Sequence, residues 1–325
     1  MLHQITLAAT LAAAVLPSSV SAGPLSSPKR GLVFTPNDTT RADDSIWIEK
    51  PSSITWYYNY EPEPEPDYAK ISQSELEFVP MLWGAPSKLD DTSFLTNVKN
   101  QIKNGRKITN VLSFNEPDGP YSWGGSNMDV VTAAEVWVNN IEPLREMGLR
   151  VGLPACTGAP TGINWLRNFL KACSERISES GQTKNCTYDF VTLHWYGNFD
   201  GLASHMGTYS AEFPNKTMWI TEYNLADESL ANTQAFYNIS AEYFDRLDFV
   251  ERYSLFGAFR SDASNVGPNA AMLNKNGQLT DIGAWYLGRQ GTGIIPTGKS
   301  GAYLSTAPQV SAALLVALSV LALVS

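Results

Sequence analysis

The chain has 325 residues, of which 43% are hydrophobic and 17% charged, and this composition excludes a disordered protein, a collagen-like fibre and a small disulfide-stapled module. Lys and Arg number 23 and Asp and Glu 32, so the formal net charge of −9 argues against nucleic acid as a partner. The 9 Trp and 14 Tyr exceed what many cores need, which suggests that some rings face a ligand. Sugars are one candidate because their C–H faces stack on aromatic rings.

The first 22 residues have the pattern of a secretory signal peptide. Residues 5–16 are almost wholly apolar, Pro17 ends the run, and small residues precede Gly23. The segment departs from the usual pattern because no Lys or Arg precedes the apolar run. A buried helix is the alternative, but the run is short and lies at the very start of the chain. We therefore expect secretion and a mature chain that begins at Gly23.

The last 25 residues have the pattern of a signal for a glycosylphosphatidylinositol (GPI) anchor. Residues 310–324 are apolar apart from two Ser, whereas a bilayer span needs about 20 residues. Small residues at 300–302 and a polar spacer precede this tail, which predicts lipid attachment at Ser300 and removal of 301–325. The alternative is a short tail anchor. We expect one folded domain over 23–300, held at the cell surface or wall by a lipid in the outer leaflet of the plasma membrane.

Sequons and cysteines agree with passage through the secretory pathway. Four Asn-X-Ser/Thr sequons predict N-glycans at Asn37, Asn185, Asn215 and Asn238. Three Cys allow one disulfide and one free thiol. We expect Cys173 to pair with Cys186 across a polar turn and Cys156 to be buried. No pair of His or Cys has zinc-ligand spacing, so no metal site is expected.

Short apolar runs recur along the mature chain and predict parallel strands. The predicted strands are eight in number: 31–34, 54–58, 78–83, 108–114, 150–154, 190–195, 218–221 and 250–256. Stretches with apolar residues three and four apart predict helices over 92–104, 129–147, 163–177 and 230–245. The first, second and sixth units have no helix that the pattern places. This order predicts the α/β class and a single (β/α)8 TIM barrel.

Residues 61–67 read Glu-Pro-Glu-Pro-Glu-Pro-Asp and form the one low-complexity patch. Each Pro restrains the residue before it to extended geometry, so we expect a stiff acidic loop after the second strand. A solvated spacer is the favoured interpretation and a binding element the alternative.

Two of the predicted strands end in glutamate. Asn115 and Glu116 follow the fourth strand, and Glu222 follows the seventh. Because catalytic groups of such barrels lie on the loops after the strands, both carboxylates can point across one mouth. Glycoside hydrolysis needs such a pair, one as the acid that protonates the leaving oxygen and one as nucleophile or base. A surface or capping role is the alternative for either residue taken alone.

Five sequence blocks, taken in order, resemble glycoside hydrolase family 128. They are WYYN at 56–59, VPMLWG at 79–84, SFNEPD at 113–118, HWYG at 194–197 and WITEY at 219–223. Asn-Glu-Pro alone is typical of the larger clan of retaining (β/α)8 glycosidases. The resemblance extends over about residues 30–288. It implies a fungal endo-β-1,3-glucanase with a catalytic domain of the alkali-sensitive-linkage type.

The resemblance also implies roles for individual residues. Glu116 is the acid/base, Glu222 the nucleophile, and Asn115 hydrogen-bonds the sugar 2-hydroxyl. We expect His194 and Tyr196 to donate hydrogen bonds to Glu222. Further substrate contacts are expected. Stacking walls for glucose units are Trp83, Trp195 and Tyr58. Asn59 is expected to bind a hydroxyl, and Phe256 to form the floor of the subsite at the cleaved bond. Phe256 stands where many members of the clan have Trp.

The sequence therefore predicts a secreted retaining endo-β-1,3-glucanase, with transglycosylation as a further activity. Two carboxylates suffice for double displacement, so no cofactor or metal is expected. The partner is β-1,3-glucan, and we expect a monomer. One alternative is a wall glucan-binding protein with little turnover, which has no need of both glutamates. Another is a glycosidase of the same clan acting on mannan or cellulose.

Overall fold

The computed structural model describes residues 26–178 and 183–298. The predicted signal peptide, Ser300 and the tail 301–325 lie outside the described residues. Within them, eight short strands are present: β1 (Gly31–Val33), β2 (Trp56–Tyr58), β3 (Glu77–Phe78), β4 (Asn110–Val111), β5 (Arg150–Val151), β6 (Phe190–Tyr196), β7 (Thr217–Asn224) and β8 (Val250–Leu255). Each overlaps one predicted run, although all of the first five strands are shorter than predicted.

All strand pairs are parallel. They form a three-stranded sheet β1-β2-β3, a pair β4-β5 and a three-stranded sheet β6-β7-β8. Isolated parallel bridges Met81–Leu112 and Gly152–Phe190 join these sheets in chain order, and Arg30–Tyr253 joins the segments of β8 and β1. Every strand therefore lies beside its neighbours in sequence, and the carboxyl ends of the strands point the same way.

Eight α-helices are described, and the α/β class is confirmed. They are α1 (Ser45–Ile48), α2 (Ser93–Lys103), α3 (Val130–Asn140), α4 (Glu142–Glu146), α5 (Gly162–Ile177), α6 (Phe199–Glu212), α7 (Leu230–Arg246) and α8 (Asp281–Tyr286). The predicted helix 129–147 is divided into α3 and α4, with Ile141 between them. Helix α6, in the sixth unit, had no prediction. In the described residues no helix is long and apolar enough to cross a membrane.

Side-chain caps explain where several helices begin. Asp129 accepts hydrogen bonds from the backbone N–H groups of Val131 and Thr132 at the start of α3. Asn198 caps α6 and Ser229 caps α7 in the same way. Each cap satisfies backbone donors that the first helical turn leaves without partners. The polar residues that follow the strands thus also fix the starts of the helices.

The strands separate two apolar clusters. A large cluster lies between strands and helices and includes Leu32, Tyr57 and Val111. A smaller one is built from the opposite strand face: Val33, Trp56, Tyr58, Val79, Met81, Leu112, Phe190 and Trp219. This division follows the two-residue period of a strand, in which successive side chains point to opposite faces.

The structure joins Cys173 and Cys186 in a disulfide and leaves Cys156 as a buried free thiol. The predicted glycan acceptors Asn37, Asn185 and Asn215 are exposed. Asn238 instead lies half-buried inside α7, and Ser240 of its sequon is buried and donates to the Phe236 carbonyl. The folded geometry therefore favours glycans at the first three positions.

Candidate active site

Glu116 lies just beyond β4 in a strained backbone conformation. Its φ is +40°, a region that non-glycine residues rarely adopt. The conformation is held by two hydrogen bonds, from the Glu116 N–H to the Ala155 carbonyl at 2.7 Å and from the Gly119 N–H to the Glu116 carbonyl at 2.9 Å. Such strain costs on the order of 1–3 kcal/mol and persists where the surrounding structure determines it. It presents a carboxyl group that is almost fully buried.

Glu222 is on β7 and receives a phenol on each carboxylate oxygen. The Tyr60 hydroxyl donates to Oε1 at 2.7 Å, and the Tyr196 hydroxyl donates to Oε2 at 2.6 Å. Burial and the charge of Glu222 raise the pKa of each phenol well above its usual value, so both hydroxyls keep their protons and donate hydrogen bonds. Two donations to one buried carboxylate stabilise its negative charge and fix its orientation.

His194 on β6 bridges the two glutamates. Its Nδ1 shares a hydrogen bond with Glu116 Oε1 at 2.9 Å and lies 3.4 Å from Glu222 Oε2. Burial lowers the pKa of His194, but the charges of the two carboxylates outweigh it, so the net shift is upward. His194 therefore contacts both glutamates, but its hydrogen bond is to Glu116 and not to Glu222 as expected.

The pKa of Glu116 is raised. Burial is the largest cause, and the charges of Glu222 and Asp118 act in the same direction. The hydrogen bond and charge of His194 lower it and are outweighed. A buried carboxyl with a raised pKa keeps its proton to higher pH, as a general acid requires. Both carboxyl groups are buried, but their partners differ: Glu116 shares a hydrogen bond with His194, whereas Glu222 accepts two from phenols.

Asn115 precedes Glu116 and has one amide atom left for a ligand. Its Nδ2 donates to the Gly124 carbonyl at 3.0 Å, while its buried Oδ1 has no partner among the described residues. An unpaired buried acceptor is costly, so the position favours a hydroxyl donor from outside the chain.

Two groups of described residues have donor atoms close enough to hold a metal ion. One oxygen from each of Glu116 and Glu222 and a ring nitrogen of His194 lie within 4.8 Å of one another. The other group consists of Asp44, Glu65 and Asp67. In the first group His194 Nδ1 already contacts one oxygen of each glutamate.

A cavity of about 470 Å³ begins at Tyr60 and extends beneath Trp83. Its walls come from the segments after β2 and β3 and from the start of α2, including Met81, Phe94 and Asn97. The acidic loop 61–67 forms one side and is tied down, because Asn97 donates to Glu63 and Gln101 donates to the Pro62 carbonyl. The loop is thus largely exposed, as expected of a solvated spacer, but it also packs on α2 and lines the cavity with Glu61 and Pro62.

Two predicted stacking contacts, Tyr58 and Trp195, are wrong, and the predicted hydroxyl ligand Asn59 has partners within the chain. Tyr58 is 0% exposed and its hydroxyl donates to the Thr221 carbonyl, so no sugar can stack on it. Asn59 uses its amide to hold the acidic loop, with Nδ2 donating to Glu63 and Oδ1 accepting from Glu61. Trp195 packs on α6, where a Cβ at Gly201 would lie 2.3 Å from its ring. Because strand neighbours alternate, Trp195 points away from the face that carries His194 and Tyr196.

Phe256 lies beside the site. Its ring meets that of Tyr196 edge-on, with centroids 5.7 Å apart, and it is only partly buried. It therefore supports the phenol that donates to Glu222 and leaves part of its ring open. Trp83 is also partly exposed and lines the cavity.

Tyr60 is the functional residue that sequence reasoning missed. It follows Trp56 and Tyr58 at the two-residue strand period, one step nearer the carboxyl end of β2. Its backbone φ is +64°, and its ring contacts that of Tyr58 edge-on at 5.1 Å. The sequence signal for Tyr60 was the alternation of side chains along β2, continued two residues past the end of the strand.

The chain is similar to known proteins in sequence and in structure. The sequence profile of the family described as glycosyl hydrolase catalytic core matches residues 31–286. Alkali-sensitive linkage protein 1 of Schizosaccharomyces pombe is 29% identical over 268 residues, which is 80% of this chain and 44% of that protein. The chain thus spans less than half the length of this relative.

Solved structures share the fold. An exo-β-1,3-glucanase of GH128 subgroup VI from Aureobasidium namibiae has a TM-score of 0.63 and 22% identity, covering 80% of this chain and 95% of that one. An endo-β-1,3-glucanase of subgroup II from Sorangium cellulosum has 0.62 and 23%, covering 81% and 99%. An oligosaccharide-binding protein of subgroup VII from Cryptococcus neoformans has 0.59 and 23%, covering 82% and 97%.

Proposed function

The chain belongs to the glycosyl hydrolase catalytic core family and is a glycoside hydrolase, and from that premise we propose that it cleaves β-1,3-glucan at Glu116 and Glu222. Its resemblance to glycoside hydrolase family 128 is confirmed. β-1,3-Glucan is the substrate class named for solved relatives that cut within chains and for others that cut from chain ends. We propose the internal, endo mode for this chain.

One observation carries the proposal: His194 contacts two different carboxyl groups. Glu116 is buried and has a raised pKa, and Glu222 accepts hydrogen bonds from two phenols. Glu116 gives its proton to the glycosidic oxygen while Glu222 attacks the anomeric carbon and the leaving sugar departs. Glu116 then takes a proton from water, the water oxygen bonds to the anomeric carbon, and Glu222 is released. Asn115 Oδ1 accepts a hydrogen bond from the sugar 2-hydroxyl. No cofactor enters these steps.

The spacing of the carboxylates supports a retaining course. The donor oxygens of Glu116 and Glu222 lie within 4.8 Å of one another. Retaining enzymes hold their carboxyl groups about 5–5.5 Å apart, whereas inverting enzymes leave about 6.5–9.5 Å for a water molecule. A sugar alcohol can replace water in the second step, which gives transglycosylation.

The parallel bridges that join successive strands, and the bridge from β8 back to β1, support one closed (β/α)8 barrel over 23–300. We also propose that the chain is a secreted monomer held at the cell surface by a GPI lipid at Ser300. The proposals of secretion and of a GPI lipid depend on the sequence patterns of the two termini.

Release of reducing ends from laminarin tests the function. Wild type should release them, Glu222→Gln should not, and Glu228→Gln should match wild type because it alters an exposed carboxylate outside the site. Mannan and cellulose oligomers serve as alternative substrates, and rapid loss of polymer length distinguishes internal from terminal cleavage. Release by Glu222→Gln at the wild-type rate would refute the assignment.

A second candidate function is favoured by one structural neighbour, the oligosaccharide-binding protein of the same fold. It predicts laminari-oligosaccharide binding by the wild type without release of reducing ends. Binding by calorimetry, measured beside the release assay, separates the two.

A further inference from the structure

The loop between β4 and α3 exposes two large aromatic side chains next to the site. Tyr121 is 65% and Trp123 57% exposed, and among the exposed large hydrophobic residues in the described ranges the only other aromatic one is Phe249. Single exposed apolar residues need no explanation, but two large aromatic ones on one short turn point to an interaction surface. Tyr121 and Trp123 occupy one short 3₁₀ turn, Tyr121–Trp123. We call Trp83, Tyr121 and Trp123 the outer platform.

The turn that carries Tyr121 and Trp123 is fastened to the catalytic segment. The Gly124 carbonyl, just past the turn, accepts Asn115 Nδ2, and the Ser126 N–H donates to the Asn115 carbonyl. The Gly119 N–H donates to the Glu116 carbonyl on the other side. A Cβ at Gly125 would lie 2.4 Å from the Gly119 carbonyl oxygen, so this close return needs glycine. The aromatic turn therefore has a fixed position relative to Glu116.

The outer platform is continuous with the catalytic carboxylates. Tyr60 donates to Glu222 and lines the same cavity as Trp83. The Trp83 ring in turn stacks on that of Tyr121, with centroids 6.2 Å apart and planes inclined by 27°. The Trp83 carbonyl also accepts the Asn115 N–H at 2.8 Å. A path of aromatic surface thus leads from the reacting centre outward to solvent.

Resting on the proposed function, we propose that the outer platform is a distal subsite for a β-1,3-linked glucan strand, which makes the enzyme prefer long chains. The C–H faces of glucosyl units several places from the cleaved bond lie on Tyr121 and Trp123. Binding there helps only substrates long enough to reach it. Short oligosaccharides occupy the cavity by Tyr60 and Trp83 alone.

The test compares kcat/KM for laminarihexaose and for an aryl laminaribioside. Tyr121→Ala and Trp123→Ala should each lower the hexaose value about threefold to tenfold, the size of one aromatic contact, and leave the bioside value unchanged. Phe249→Ala is the matched control, since Phe249 is 37% exposed and precedes β8 at the opposite strand ends. An unchanged ratio of the two kcat/KM values in both platform variants overturns the proposal.

Binding of laminarihexaose by calorimetry in the Glu222→Gln background separates this proposal from the proposed function. Weaker hexaose binding on adding Trp123→Ala supports the subsite, even if the wild type hydrolyses no glucan. Hydrolysis by wild type with hexaose binding unaffected by Tyr121→Ala and Trp123→Ala overturns the subsite alone. Loss of binding to phosphatidylcholine vesicles with an unchanged hexaose preference would assign the rings to a membrane instead and also overturn it.

Discussion

Removing either phenol from Glu222 should slow glucan hydrolysis. The Tyr60 and Tyr196 hydroxyls lie 2.7 and 2.6 Å from the two carboxylate oxygens, in the range of charge-assisted hydrogen bonds. Such a bond contributes about 1.5–3 kcal/mol. At 1.36 kcal/mol for each factor of ten in rate, Tyr60→Phe or Tyr196→Phe should lower kcat/KM about tenfold to a hundredfold. The rate falls because one Glu222 oxygen loses the hydrogen bond that orients it for attack on the sugar.

The assay is kcat/KM on laminarin at one fixed pH, where each variant should lose about tenfold or more. Tyr188→Phe is the matched control and should keep the wild-type value, since the Tyr188 ring packs on Phe213 outside the site. A wild-type kcat/KM in both Tyr60→Phe and Tyr196→Phe would refute the reasoning and reduce the phenols to packing.

Three further outcomes are expected. Glu116→Gln should cut laminarin hydrolysis about 10²–10⁴-fold yet largely spare a dinitrophenyl glycoside, whose leaving group needs no proton; equal losses on both would contradict its role as acid. Burial and the charges of Glu65 and Asp67 raise the pKa of Asp44 to about 6, so its ionised form destabilises the fold at neutral pH. Asp44→Asn should therefore raise the melting temperature at neutral pH, and this gain should disappear as pH falls from about 6 to about 4. Burial would raise the pKa of Glu251, but hydrogen bonds from Arg150 and Thr217 outweigh it and lower the pKa to about 2. After a discount for solvent screening of this partly exposed carboxylate, Glu251→Gln should lower the free energy of unfolding by about 2 kcal/mol at neutral pH. The loss should disappear as pH falls from about 4 to about 2, and a constant loss would contradict the pairing.

Sequence patterns predicted the strands well because their apolar runs carry a local signal. The runs around Phe190 and Met218 lie within β6 and β7, Glu116 lies beyond β4 as expected, and Glu222 lies within β7 near its carboxyl end. Helix α6 escaped prediction because its sequence mixes Gly and Ser with few apolar residues: Leu202, Met206 and Tyr209 are its buried contacts. Its packing on the neighbouring strands, which sequence alone does not display, determines it.

The errors at the site come from contacts between segments that are distant in the sequence. Tyr60 follows Tyr58 by two residues, one strand period, but only the structure shows that Tyr58 is covered and that Tyr60 reaches Glu222. The alternation along β6 turns Trp195 toward α6, although its sequence block resembles the family. The contacts of the acidic loop with Asn97 and Gln101 are tertiary, so its sequence does not display them.

The central claim is a covalent bond between Glu222 and the sugar, and mass spectrometry tests it most directly. Wild type incubated with an activated 2-deoxy-2-fluoro laminaribioside should gain the mass of one glycosyl group, and peptide mapping should place it on Glu222. Glu222→Gln should gain none. An enzyme that hydrolyses laminarin with inversion of the anomeric centre, or a label on any other residue, would contradict the account.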